Sequence, residues 1–161
     1  MLIQLTQGKV ATIDDADYYL ISGRSWHAQY HPSGKRWYAV ASITVNGKHT
    51  KLSMHRVIMD AKHGDNVDHR DGDGLHNWRS NLRKATVGQN NQNRRTISSN
   101  SGFKGVHYEP KRAGQKKYCA AITLDRKKTT IGYFMTASEA AAAYNERASI
   151  LFGDFAVLNE V

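Results

Sequence analysis

Between Val67 and Asn90 the chain gathers side chains able to move protons and hold a hard cation. They are Val67-Asp68-His69-Arg70-Asp71-Gly72, then Asn77, Asn81-Leu82-Arg83 and Gln89-Asn90. A histidine titrates near ~6.5, so His69 can take a proton from water at neutral pH. Asp68 and Asn90 offer carboxylate and amide oxygens to a divalent cation, which neutralises a phosphate and helps an oxygen depart. The chemistry this set suits is phosphodiester hydrolysis. An Asp-His pair alone is weak ground, because a single histidine is usually structural; Asn81-Leu82 and Asn90 at their spacing give the set its meaning.

These residues need elements to hold them. Asn66 to Arg70 reads as a short strand, 71–77 as a Gly/Asp/Asn-rich loop and Leu82 to Ala85 as a second strand. Thr86 opens a helix, with Gln89 three residues on as a capping-box partner. Asn90 then falls about one turn into that helix. Ahead of this block the first 60 residues read mainly as strands. Tyr38 to Val45 and Lys48 to Met54 flank Asn46-Gly47, a hairpin signal because both turn positions need positive φ. Ser53 is placed to cap a helix from about Met54 to Ala61. His55 reads as a packed structural residue more readily than a site residue, and His63 and His76 as solvated loop residues.

Beyond a small, polar stretch at 96–101, the chain reads as three strands (103–108, 117–124, 129–134) and one helix. Thr136-Ala137-Ser138-Glu139 is a capping box, Gly153 a stop, and Ala137, Ala141, Tyr144, Ala148 and Leu151 a core-facing stripe. Charge divides this part. Residues 101–130 hold eight lysines and arginines against two acids, while 131–161 hold one arginine against four. A helix covers one sheet face, so the other is expected to be free, basic and wet, which suits a phosphate backbone.

Residues 55–94 resemble the HNH endonucleases of the ββα-metal (His-Me finger) group, in the branch found in phage and intron homing enzymes. The resemblance rests on His55-Arg56, Asp68-His69, Asn81-Leu82 and Gln89-Asn90. It implies that His69 is the general base, Asp68 and Asn90 the metal ligands, and Asn81 the residue that pins the loop through backbone hydrogen bonds. It implies one divalent cation, Mg²⁺ first and Mn²⁺ second. Zinc-stabilised relatives use four cysteines, and this chain has one, Cys119, so no zinc is expected. Lys84-Ala85 stands where many relatives carry an aromatic.

Residues 102–159 resemble an AP2 domain. The opening strand matches at Gly102-Phe103-Lys104-Gly105-Val106, the middle at Lys117 to Ile122, the third at Ile131-Gly132-Tyr133-Phe134 and the helix at Thr136 to Asn145. In that family the sheet lies in the major groove with the helix behind it. Candidate DNA contacts here are Lys104, His107, Lys111, Arg112, Lys116, Lys117, Tyr118, Thr123, Arg126, Lys127 and Lys128. Arg70, Arg83, Arg94 and Arg95 are candidates near the nuclease motif, and Arg79 is weighed with them. Plant relatives often carry Arg and Trp at the reading positions, where this chain has His107, Tyr118, Thr123 and Thr130. A grip on the backbone is therefore the expectation, with no stated sequence preference.

Composition agrees with these expectations. At 161 residues the chain fits one compact domain or two small ones, and its net charge of +9 favours a polyanionic partner. Lone Cys119 excludes an internal disulfide framework and fits a reduced, intracellular setting, the bacterial cytoplasm if phage-encoded. No apolar run approaches the roughly 20 residues of a membrane span, and the N-terminus lacks the pattern of a signal peptide. The expected fold is α+β. A β-rich segment (1–54) and a ββα-metal motif (55–95) form one domain, 96–101 a linker, and 102–161 a three-stranded antiparallel sheet packed on one helix. The expected partner is double-stranded DNA, bound by a monomer or homodimer, with no membrane. A DNA-binding regulator that keeps the nuclease motif as scaffold is the alternative, and an RNA-acting protein a third.

Overall fold

The structure, a computed structural model, describes residues 1–94 and 100–161. It is mixed α and β, and it divides into two compact units, Met1–Thr86 and Val87–Val161. Arg95 and most of the 96–101 stretch lie outside the described residues. The stretch expected to form a ββα motif thus spans the division: its two strands belong to the first unit and its helix to the second.

In the first unit, β1 (Leu2–Gln4) pairs antiparallel with β2 (Val10–Thr12), and a one-turn helix α1 (Tyr18–Ile21) follows. Then β3 (Trp26–His31), β4 (Arg36–Val45) and β5 (Lys48–Ser53) form an antiparallel meander. Asn46 and Gly47 take φ values of 50° and 75°, the left-handed pair that a two-residue hairpin turn requires. Trp26, Ala39 and Ala41 turn one face of this sheet into a core shared with Ala11, Ile13, Ile21, Met54, Ile58 and Leu82. Trp26 Nε1 satisfies itself inside that core by donating to Ile21 O at 2.9 Å.

Helix α2 (Met54–Ile58) is shorter than the sequence predicts. Asp60 enters the left-handed region (φ 45°) and ends it. Ser53 is the last residue of β5, and its side chain makes no cap hydrogen bond. Arg56 steadies the following turn by donating to Asp65 O and Lys62 O. Strands β6 (Asn66–His69) and β7 (Leu82–Ala85) pair antiparallel and place Asp68 opposite Arg83 and His69 opposite Leu82.

The second unit opens on α3 (Val87–Gln92). Its sheet, in the order β10-β9-β8, is antiparallel and built from β8 (Val106–Tyr108), β9 (Tyr118–Leu124) and β10 (Lys127–Phe134). The opening strand is shorter than expected, because Gly102 and Gly105 both hold positive φ and turn the chain before Val106. Helix α4 (Ala137–Phe152) carries both bonds of the capping box between Thr136 and Glu139 and ends at Gly153. Its buried stripe is Ala140, Ala141, Tyr144, Ala148 and Phe152, packed on Val106, Ala120 and Ile122. Asn159 closes the unit. Its amide exchanges hydrogen bonds with the Lys104 backbone, and its N–H donates to Asn145 Oδ1. Among the described residues no helix is long and apolar enough to cross a membrane.

Candidate active site

β6 and β7 carry the site in the first unit. His69 and Asp68 end β6, both buried. After them the chain leaves the ladder and returns through the loop 71–77. Asn81, at the end of a 3-10 turn (Arg79–Asn81), holds that loop. Its Oδ1 accepts from Asp71 N (3.1 Å), and its Nδ2 donates to Asp71 Oδ1 (3.0 Å) and His76 O (2.8 Å). Asp71 and Asp73 tighten the loop further. Asp71 Oδ1 accepts from Asp73 N and Asp73 Oδ1 from Leu75 N, both at 2.9 Å. These are the local Asp turns that the sequence of the loop invites. His76, expected to be solvated, instead pairs with Asp71 at 2.7 Å and lies against Trp78.

Asn77 is the site residue that the sequence shows without revealing its part. It is fully buried, and its Oδ1 lies 3.2 Å from His69 Nε2. Its Nδ2 donates to Leu75 O at 2.9 Å, which fixes the amide's orientation. The Asn77 oxygen can only accept, so His69 Nε2 carries the proton and Nδ1 is the basic nitrogen of the neutral ring. Burial lowers the His69 pKa below its ordinary value, against the opposing pull of Asn77, Asp71 and Asp68. The ring is therefore unprotonated at neutral pH, as a general base must be.

His55 lies beside it. The two imidazoles meet edge to face with centroids 4.9 Å apart, and the Tyr38 ring lies 5.8 Å from His55 and 6.0 Å from His69. Burial, with the charges of His69 and Arg56 adding to it, pushes the His55 pKa down to about 3. Its Nδ1 is buried without a hydrogen-bond partner among the described residues. Gly74 presses the loop onto Tyr38: a Cβ there would lie 2.4 Å from Trp37 O and 2.5 Å from the Tyr38 ring.

Arg83, expected on DNA, is turned inward and 7% exposed. Its Nε and Nη2 donate to Asp68 Oδ2 at 2.9 and 2.8 Å. The physical reason is the register, which sets Arg83 directly opposite a buried carboxylate that needs a counter-charge. Arg79 is likewise engaged, donating through Nε (3.0 Å) and Nη2 (2.7 Å) to buried Asp17. Arg70 and Arg94 are exposed. Arg95 lies outside the described residues.

As donors for a hard cation, Asp68 and Asn90 are suitable in kind: one carboxylate and one amide, the small set that Mg²⁺ uses when it keeps several waters. Asp68 shares its charge with Arg83, and Asn90 is exposed on α3 in the second unit. Among the described residues no group of three or more His, Cys, Asp or Glu gathers to hold a metal.

In the second unit, Lys104, His107, Thr123, Arg126 and Lys128 line one cleft with Asn91 and Gln92 of α3. Burial and the nearby Lys128 lower the His107 pKa. Lys111, Lys116, Arg126, Lys127 and Lys128 are exposed. Three other candidates serve the fold. Lys104 Nζ donates to Gln92 O, and Lys117 Nζ to Pro110 O and Arg112 O. The Arg112 guanidinium stacks 3.5 Å from the Tyr133 ring centroid, and its Nε donates to Lys116 O. Tyr118 alternates onto the helix-covered side, packs against that core and stacks on Tyr108. The face opposite α4 is also less open than expected. Cys119 and Ala121 on it are buried, and Arg112 leans over Tyr133 beside Cys119.

Comparison with known proteins gives this arrangement a context. The chain is 32% identical over 117 residues to a protein of Acanthamoeba polyphaga mimivirus named as an uncharacterized HNH endonuclease. The match takes in 69% of this chain and 59% of the viral protein, so the chain spans about three fifths of that relative's length. No family model matches the chain. No solved structure matches it.

Proposed function

We propose that this protein is a metal-dependent DNA endonuclease of the HNH type, with an AP2-like second unit that grips duplex DNA. The observation that carries the reading is the His69–Asn77 contact inside a loop pinned by Asn81. It leaves a buried, neutral imidazole whose basic nitrogen is Nδ1. The similarity to a viral protein named as an HNH endonuclease supports the same reading. His69 Nδ1 takes the proton of the attacking water, and Asn77 holds the opposite nitrogen through the transfer. Asp68 and Asn90 would hold one divalent cation, Mg²⁺ or Mn²⁺, which when bound neutralises the phosphate and the departing oxygen. Arg83 orients the Asp68 carboxylate through two donors to Oδ2. A single site per chain nicks one strand per visit; a homodimer would cut both. Homing, and a host-cell cytoplasmic setting, are the biological context we attach to this activity.

The test is cleavage of supercoiled plasmid with Mg²⁺, Mn²⁺ or EDTA, wild type beside His69→Ala. The expected result is metal-dependent relaxed or linear product, reduced about 10²–10⁴-fold in the variant while DNA binding is nearly unchanged. Equal loss of binding and cleavage would remove His69 from the base role. Tight binding without cutting under any metal would favour the regulator.

A further inference from the structure

From Tyr18 through Met59 the chain contains no aspartate or glutamate, yet Arg24, Lys35, Arg36, Lys48, Lys51 and Arg56 fall within it. A merely soluble surface mixes both signs. All eight acids of the first unit lie outside this run, at 14–17 and 60–73. The acid-free run is the β3–β4–β5 sheet with its approaches. Strand alternation separates its two faces. Trp26, Ala39 and Ala41 enter the core, so Gln29, His31, Arg36, Tyr38, Ser42 and Lys51 share the opposite face.

Four of these side chains, Lys51, Gln29, His31 and Tyr38, are linked in a row. Lys51 Nζ donates to Gln29 Oε1 at 2.7 Å, and Gln29 Nε2 lies 3.1 Å from His31 Nε2. The His31 ring meets Tyr38 edge-on at 5.1 Å, and Tyr38 borders both His55 and His69. A line of polar, cationic and aromatic side chains therefore runs from exposed Lys51 to the site. We infer that this outer face of the β3–β4–β5 sheet is a second landing surface for duplex DNA, one that leads the scissile strand toward His69. The inference rests on the nuclease reading for its direction, and on charge and continuity for its partner. Lysine and arginine supply phosphate contacts that fix register without reading sequence. A β-ribbon is also narrow enough to enter a major groove.

The experiment measures binding of the full chain to a fluorescein-labelled random-sequence duplex, by anisotropy, in EDTA and across a KCl series. Arg36→Gln/Lys51→Gln is compared with wild type and with Lys62→Gln, a charge control whose ammonium pairs with Asp60. If Arg36 and Lys51 each meet a phosphate, the log Kd against log salt slope falls by about 2, and affinity near physiological salt weakens about tenfold to thirtyfold. The control leaves the slope in place. A slope equal to wild type, or a shift no larger than the control's, overturns the inference, as does a loss seen only with duplex RNA. Melting curves check the fold. Lys51→Gln alone, at an exposed side chain, is read if the double variant does not fold, and is then expected to lower the slope by about 1. Binding in EDTA is independent of cutting. Failure of wild type to cleave the same duplex with metal would thus count against the nuclease reading alone.

Discussion

At the scale of single residues, the site turns on which nitrogen of His69 carries the proton. Asn77 decides this, because its amide nitrogen is committed to Leu75 O and its oxygen faces Nε2. Burial keeps the ring's pKa below its ordinary value, so the rising limb of cleavage against pH is expected below about 6.5. Asn77→Asp tests the arrangement. A carboxylate opposite Nε2–H stabilises the imidazolium, which raises the pKa and withdraws the base near neutrality. The rising limb should move to higher pH by about one unit or more, read as single-turnover cleavage across a pH series. A limb that stays in place in Asn77→Asp would mean that another group sets it. Of the two partners, His69 stands out in the sequence, whereas Asn77 shows without its part in the contact. Asn77 stands in a loop with five polar or small residues and Leu75, and only its complete burial distinguishes it.

Elements set how firmly that contact is held. The loop 71–77 passes so close over β4 that Gly74 has no room for a Cβ. Gly74→Ala forces an overlap with Trp37 O and Tyr38, worth about 1–3 kcal/mol of strain, and displaces the loop that carries Asn77. Cleavage should fall at least about tenfold with DNA affinity retained; unchanged cleavage would show that the loop absorbs the methyl without moving Asn77. Helix α2 contributes His55, buried and neutral. Its pKa of about 3 lies below the unfolded value of 6.5. The folded state therefore binds fewer protons than the unfolded one through that window, and its stability is full above pH 6.5 and lost as pH falls toward 3. At pH 4.5 the loss is roughly 3 kcal/mol. His55→Phe should remove most of this acid sensitivity in melts at pH 7.5 and 4.5, with little loss at pH 7.5, because the ring's Nδ1 has no partner to forfeit. An identical pH effect in wild type and variant would assign the sensitivity elsewhere. Much of this level was legible beforehand. Asn46-Gly47 and the Thr136–Glu139 box dictate their elements through local backbone demands, so the hairpin and α4 fall where the sequence places them. What stayed hidden depends on partners distant in the chain: Arg79 on Asp17, Asn77 N on Thr12 O, and Arg83 turned inward by the strand register.

For the molecule as a whole, the excess of +9 matters by where the cations are free to meet phosphate. Sequence alone counts eight cations on the sheet side of the second unit. The structure sorts them, because Lys104, Lys117 and Arg112 spend their donors on backbone carbonyls and, for Arg112, on the Tyr133 ring. Lys111, Lys116, Arg126, Lys127 and Lys128 stand exposed. Each phosphate neutralised contributes about 0.9 to the slope of log affinity against log salt. Replacing these five with glutamine should therefore lower the slope by about 4 if all reach the backbone, and leave the melting of the protein little changed. Replacing Lys104, Arg112 and Lys117 should do the reverse. The β8–β9 connection and the tie of Lys104 to α3 would loosen and the melting temperature would drop. The slope measured below that temperature would scarcely move, because those side chains hold the chain and not the ligand. A slope that follows the second set would mean that DNA draws these cations from their carbonyls on binding, and that the second unit rearranges to grip it.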